Sequence, residues 1–232
     1  MSRSGRSLVH LAFLAGIVCA PALHAAESAI SEAEQKVFLD DHLRGVAAPT
    51  VVRYQFKKAG TLEKNFDDAV MLTVKPNGRA TRTVEVSYLT GEHKVTLPVV
   101  EDAKANPVIL YFLEQDVREM HRRLGGSESY FRKRIRLAMA ESADVHPVPV
   151  VVNGKQIAAS EVVIRPFVND PMKAKLGPFE NKSYAFTLSD QVSGGVVQLR
   201  SRVMADAASA DTAAKDGAPL LEEILSFEKV GK

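Results

Sequence analysis

The stretch that decides the fold is residues 106–141, NPVILYFLEQDVREMHRRLGGSESYFRKRIRLAMAE. It reads as two helices joined at Gly125-Gly126, set in a chain that otherwise alternates like β-strand. Asn106 suits an N-cap, where a side-chain oxygen takes a free backbone N–H. Pro107 follows at the first helical position, where a missing N–H costs nothing. Leu110, Leu113, Val117, Met120 and Leu124 recur at spacings of three and four, which predicts one apolar face. Gly125 can take the left-handed conformation that ends a helix. Ser127 is the expected cap of the second helix, whose apolar face is Phe131, Ile135, Ala138 and Met139.

Between those faces lies a cluster of base: Arg118, His121, Arg122, Arg123, Arg132, Lys133, Arg134 and Arg136. Two readings stand. The cluster is a solvated outer face partly paired with Glu114, Asp116, Glu119 and Glu128, or it is a docking surface for phosphate headgroups or an acidic partner.

Upstream, residues 31–46 read as a short helix opened by a capping box, Ser31 with Glu34. Phe38, Leu39, His42, Leu43 and Val46 form its stripe. His42 reads as a satisfied, half-buried histidine, because no second ligand stands four residues away. Strands follow. Val52, Tyr54 and Phe56 alternate with polar residues, then Val70, Leu72 and Val74, then Val84, Val86 and Tyr88. Asn77-Gly78 between the last two is a hairpin signal. Thr90-Gly91 turns the chain into a further expected strand with Val95, Leu97 and Val99.

Downstream the strands resume. Residues 148–152 lead through Asn153-Gly154, a second hairpin turn, towards Val162 and Ile164. Residues 166–182 hold three prolines and read as a long irregular connection. Tyr184, Phe186 and Leu188 form the next inward row. A turn at 189–195 leads into Val197, Leu199, Ser201 and Val203. Residues 205–218, ADAASADTAAKDGA, are expected to form a mobile loop. Leu221, Leu225 and Phe227 give a last strand. The expected fold class is therefore α+β: one large curved antiparallel sheet, with an N-terminal helix and a central helical pair covering one face. The rival is an immunoglobulin-like sandwich over residues 145–230.

The N-terminus carries an address. Arg3 and Arg6 form a basic region, Leu8 to Ala20 an apolar one too short to span a bilayer, and Ala22, Ala25 and Ala26 follow. This is the pattern of a cleavable secretory signal peptide over residues 1–26, with the mature domain at 27–232 and a periplasmic location. Cys19 belongs to the apolar region. Val18 before it is not the small residue that lipid attachment requires. A chain cut there holds no cysteine, hence no disulfide, thiol nucleophile or thiolate metal site. The precursor's formal charge is +2. Arg3 and Arg6 supply that excess, so the mature chain is near neutral and nucleic-acid binding is disfavoured. No later stretch is long and apolar enough to cross a membrane.

Catalytic motifs are not found, so no enzyme and no cofactor are expected. The histidines form no zinc motif. Gly125-Gly126-Ser127-Glu128-Ser129 lacks the second glycine and the preceding strand of a nucleophile elbow. Gly194-Gly195 lacks the helix that a phosphate loop requires and reads as a turn. The aromatic inventory points elsewhere. Tyr54, Phe56, Tyr88, Tyr184 and Phe186 all fall on inward rows, so a sheet face incompletely covered by helices would leave a pocket for an apolar ligand. Complete packing by the helices is the other outcome.

The order of elements resembles the LolA/LolB-like half-barrels, periplasmic lipoprotein carriers. The runs NPVILYFLEQDVREM, GGSESYFRKRIRLAMA and FTLSDQVSGG resemble a group of exported proteobacterial proteins of unknown function. The first resemblance implies a shared sheet-and-helix layout, and the second implies export. Together they lead to an expected non-enzymatic periplasmic protein that carries an apolar or lipid-like ligand or an envelope component. The alternative is an accessory module that binds an envelope protein through its basic helical pair. The candidate surface is Arg118, Arg122, Arg123, Arg132 and Arg134, with the five inward aromatic residues beneath.

Overall fold

The computed structural model describes residues 29–77, 81–95, 97–205 and 218–231. The expected signal peptide and nearly all of the expected loop at 205–218 lie outside the described residues.

Among the described residues, nine strands form one open antiparallel sheet: β1 (Thr50–Ala59), β2 (Phe66–Asn77), β3 (Thr81–Tyr88), β4 (Val100–Glu101), β5 (Asp144–Val152), β6 (Lys155–Ile164), β7 (Ser183–Leu188), β8 (Val196–Val203) and β9 (Leu221–Gly231). Their order is β4-β3-β2-β1-β9-β8-β7-β6-β5. The last strand sits in the middle, between β1 and β8, and joins the two halves of the chain. This overturns the sandwich alternative. Residues 145–230 do not close on themselves but extend the sheet that residues 50–101 begin.

Alternation decides which face is covered. Val52, Tyr54 and Phe56 of β1 are buried, as are Val70, Leu72 and Val74 of β2, while Gln55 and Lys57 are exposed. The β5–β6 hairpin turns at Asn153 and Gly154, both with positive φ (50° and 77°), the geometry that an Asn-Gly pair accommodates. Each free edge is blunted. β4 is two residues long. β5 carries Pro147 and Pro149, which have no backbone N–H and are tolerated because β5 is an edge strand.

The helical pair forms as its caps predict. α2 spans Pro107–Leu124 and α3 Glu128–Glu141. The Asn106 side chain accepts from Val108 N, and Ser127 from Tyr130 N. α2 packs on α3, β3 and β8, and α3 packs on β6. The buried face of α2 is rotated from the expected one. It consists of Val108, Ile109, Phe112, Leu113, Asp116, Val117 and Met120, while Leu110 is 54% exposed. Ile109, Phe112, Leu113, Asp116, Val117 and Met120 follow helical spacing without a break, and Leu110 falls one position outside.

Two further expectations fail locally. The N-terminal helix does not reach Val46. Its α-helical turn α1 (Glu32–Glu34) continues as a π-helical turn (Gln35–Leu39) and stops at Asp40, which is extended. The His42 ring takes the Lys36 carbonyl that another helical turn would have used. Among the described residues, the expected strand at 95–99 is reduced to a single bridge between Val95 and Tyr88. Pro98 within it has no N–H to donate, and its carbonyl accepts from the Tyr111 hydroxyl of α2.

Candidate functional site

The five inward aromatic residues are brought together, but as core. Tyr54, Phe56, Tyr88, Tyr184 and Phe186 are at most 3% exposed and lie in one cluster with the buried faces of α2 and α3. Tyr54 makes an edge-on contact with Phe227, and Phe56 with Tyr88.

The basic residues of the helical pair are split into separate ion-pair groups. Arg122 and Arg123 both bind Glu119 and Glu63. Arg132 crosses from α3 to Glu114 of α2 at 2.8 Å and also binds Glu128 at 2.5 Å. Arg134 sits 2.6 Å from Asp170 in the 166–182 connection. Arg118 is exposed and makes no ion pair among the described residues. Pairing through Glu114, Glu119 and Glu128 matches the solvated-face reading. Asp116 does not, because its side chain is fully buried.

Asp116 is the centre of a polar band across the sheet. Its carboxylate accepts from Lys182 Nζ at 2.6 Å, from Ser201 Oγ at 3.1 Å and from the Tyr184 hydroxyl. Tyr184 is opposite Ser201, Ser201 opposite Glu223, and Glu223 opposite Lys58. Four strands thus each place a polar residue in one cross-strand row. Lys58 Nζ closes the row, 2.8 Å from Glu223. Burial pushes the Glu223 carboxyl up, reinforced by the Asp116 charge and opposed by Lys58. Glu119, at the outer end, titrates at about 2: burial opposes ionisation, but Arg122, Lys58 and Arg123 more than offset it.

A signal for this band was present in the sequence. Lys182 has the parity of Tyr184 and Phe186, Ser201 that of Leu199 and Val203, and Glu223 that of Leu221 and Leu225. Each is a polar residue on an inward row, and an inward polar residue needs a partner.

A second polar hub lies where α2 begins. Asn106 is 1% exposed, and its Nδ2 donates to the Tyr54 hydroxyl at 2.8 Å and to Gly194 O at 2.7 Å. Its backbone N–H donates to His42 Nδ1 at 3.1 Å, and His42 Nε2 donates to Lys36 O at 2.7 Å. Both ring nitrogens of His42 are thereby used, one as acceptor and one as donor, so the imidazole is neutral. Burial pushes its pKa down, opposed by the Lys36 carbonyl, Asp40 and Asp41.

Beside this hub runs an open groove of about 750 Å³. Lys36, Asp40, Asp41 and Arg44 form one side, and Ala158, Ser160, Ser189 and Asp190 the other. Through Pro147, Ala158 and Ala159 it continues onto an apolar shelf of the β5–β6 hairpin, formed with Val148, Pro149 and Ile157. One Asp41 carboxylate oxygen is buried at the groove without a hydrogen-bond partner among the described residues. Among the described residues no cluster of histidine and carboxylates suits a metal ion, and no helix is long and apolar enough to cross a membrane.

No protein-family model matches the chain, and no curated protein matches it by sequence. Among solved structures it is similar to a chain of the complex of MucA and MucB from Pseudomonas aeruginosa, at 11% identity and a TM-score of 0.37, over 87% of this chain. The chain spans 57% of the length of that neighbour.

Proposed function

We propose that the chain is an exported, non-enzymatic binding protein of the bacterial envelope that holds an extended segment of a protein partner in the groove beside His42. One observation carries this reading: an open groove of about 750 Å³ joins a polar end to an apolar shelf. Its volume is in the range of ligand sites. The polar end offers Asp41, Asp190 and Arg44 to a partner's backbone and charged groups. The shelf offers Pro147, Pro149 and Ala158, which share the face of Ser160, to its apolar side chains. The signal-peptide pattern of residues 1–26 supports the compartment. An apolar or lipid-like ligand is the second reading, favoured by the same shelf. It would bind there and not on the sheet face, whose aromatic residues are packed under α2 and α3.

A photo-reactive residue at Ser160, in protein expressed in its native periplasm, tests both. The expected result is a discrete cross-linked protein that disappears when Ala158→Trp, on the same face of β6 as Ser160, fills the groove and persists when Arg122, Arg123, Arg132 and Arg134 are reversed to Glu. Loss on charge reversal, with the fold intact, would move the partner to the helical pair. Organic extraction of the native protein decides the second reading. A stoichiometric lipid in place of a cross-linked protein would replace the partner by an apolar ligand, and neither would reject the groove as the working surface.

A further inference from the structure

We propose that a second, smaller site, for a neutral single-ring molecule carrying one hydrogen-bond acceptor, lies at the open end of the polar band, between β1, β3 and the second half of α2. It is a pocket of about 270 Å³. One wall is apolar, formed by Phe56, Phe66, Tyr88, Leu89 and Val95. The facing wall is charged, formed by Lys58, Glu63, Glu119, Arg122 and Glu223. His93 lies flat on Phe66 at the rim, with ring centroids 4.2 Å apart.

Three observations fix the ligand class. First, the Tyr88 side chain is 1% exposed, yet its hydroxyl has no hydrogen-bond partner among the described residues. Burial, with the negative charges of Glu223 and Asp116, holds that hydroxyl protonated, so it is a donor awaiting an acceptor. Second, the charged wall is internally balanced. Lys58 Nζ lies 2.8 Å from Glu223, 3.6 Å from Glu119 and 3.7 Å from Glu63. Arg122 and Arg123 complete the pairing of Glu119 and Glu63, so three carboxylates face three cations. An ion entering the pocket would be desolvated without a free counter-charge. Third, the volume admits about one ring with a short substituent, and the aromatic wall offers edge and face contacts to it.

The test uses the full mature chain and three isosteres differing in charge: benzamide, benzoate and benzamidinium. Methyl NMR signals of Leu89 and Val95 report binding. Benzamide is expected to shift both signals saturably, and at least ten-fold more tightly than either charged isostere. Tyr88→Phe removes only the hydroxyl and is expected to weaken benzamide about 3–10-fold, the worth of one hydrogen bond. Val95→Phe fills the pocket from its rim and is expected to abolish the shifts. No saturable shift would mean a hydrated cleft and not a site. Equal affinity for the ions, or unchanged affinity in folded Tyr88→Phe, would overturn the ligand class. Should Tyr88→Phe fail to fold, Val95→Phe decides, and unchanged binding there rejects the pocket.

Discussion

The Lys182 ammonium lies 2.6 Å from the Asp116 carboxylate, and neither side chain has any exposure to solvent. The ammonium also lies over the rings of Phe179 and Tyr184, at 5.8 and 5.4 Å from their centroids. The pair fastens the middle of α2 to the end of the 166–182 connection and to β7. Such a pair contributes little net stability relative to an apolar pair of similar size, but it is costly to break from one side, because the survivor remains buried and charged.

Asp116→Ala is therefore expected to lower unfolding stability by about 3–5 kcal/mol. In urea this appears as a lower midpoint with an unchanged slope. The double variant Asp116→Leu with Lys182→Met leaves no buried charge from the pair and should recover much of that loss. A double variant as unstable as the sum of the singles would show that the two residues act independently.

The turn at Gly194-Gly195 yields the next prediction. Both residues have positive φ, 86° and 71°. A Cβ on Gly194 would lie 2.8 Å from the Tyr54 hydroxyl and 3.1 Å from Asn106 Nδ2, and one on Gly195 would lie 2.9 Å from His42 Cβ. At Gly125, also at positive φ, a Cβ meets nothing within 4 Å. Gly125→Ala thus adds backbone strain of about 1 kcal/mol. Gly194→Ala and Gly195→Ala add steric displacement of the Asn106–His42 hub, so each should cost at least about twice as much. Equal midpoints for the three variants would show that the hub yields freely.

The uneven legibility of this chain has a physical pattern. The caps at Asn106 and Ser127 and the Asn153-Gly154 turn were readable because each depends on residues within a few positions. The apolar face of α3 was readable from spacing alone. On α2, Leu113, Val117, Met120 and Leu124 of the expected stripe do face the core, and Leu110 alone does not. The true face includes Asp116, which spacing alone assigns to solvent. What buries Asp116 is Lys182, 66 residues away, together with Ser201 and Tyr184. No local signal carries that pairing. Only the inward parity of Lys182, Ser201 and Glu223 hinted at it. The groove beside His42 is assembled from residues more than a hundred positions apart, and periodicity has no access to such contacts.

All five tyrosines have raised pKa values. Burial is the first cause in each case. Tyr130, held at about 12, is also hydrogen-bonded to the charged Asp170. The unfolded chain releases these protons near pH 10, whereas the folded chain keeps them. The stability they confer is complete below that pH and is lost as pH rises towards the folded values. For the buried Tyr54, Tyr88 and Tyr184, absorbance at 295 nm should show no tyrosinate formation near pH 10, and their ionisation should coincide with loss of the folded circular-dichroism signal. A pre-unfolding step larger than the half-buried Tyr111 and Tyr130 can supply would show that the buried rings are accessible in the folded protein.

His42 makes the opposite prediction on the acid side. Its folded pKa is lowered, first by burial, and its neutral form is the one that accepts from Asn106 N–H while donating to Lys36 O. Protonation would set a second N–H against the Asn106 N–H and break the link between the N-terminal segment and α2. The unfolded chain takes up that proton near pH 6.5, so the contribution is intact above that pH and declines as pH falls towards the folded value. The limiting slope is about 1.4 kcal/mol per pH unit for one proton. Glu223, whose folded pKa is raised, contributes with the opposite sign, so the slope of the wild type alone does not isolate His42. The informative quantity is the difference from His42→Gln, which cannot titrate. Urea midpoints at pH 7.5, 6.5 and 5.5 should show the wild type losing its advantage over the variant as pH falls. A difference constant across that range would mean that His42 stays neutral to the same degree in both states, and that burial at the groove does not shift it.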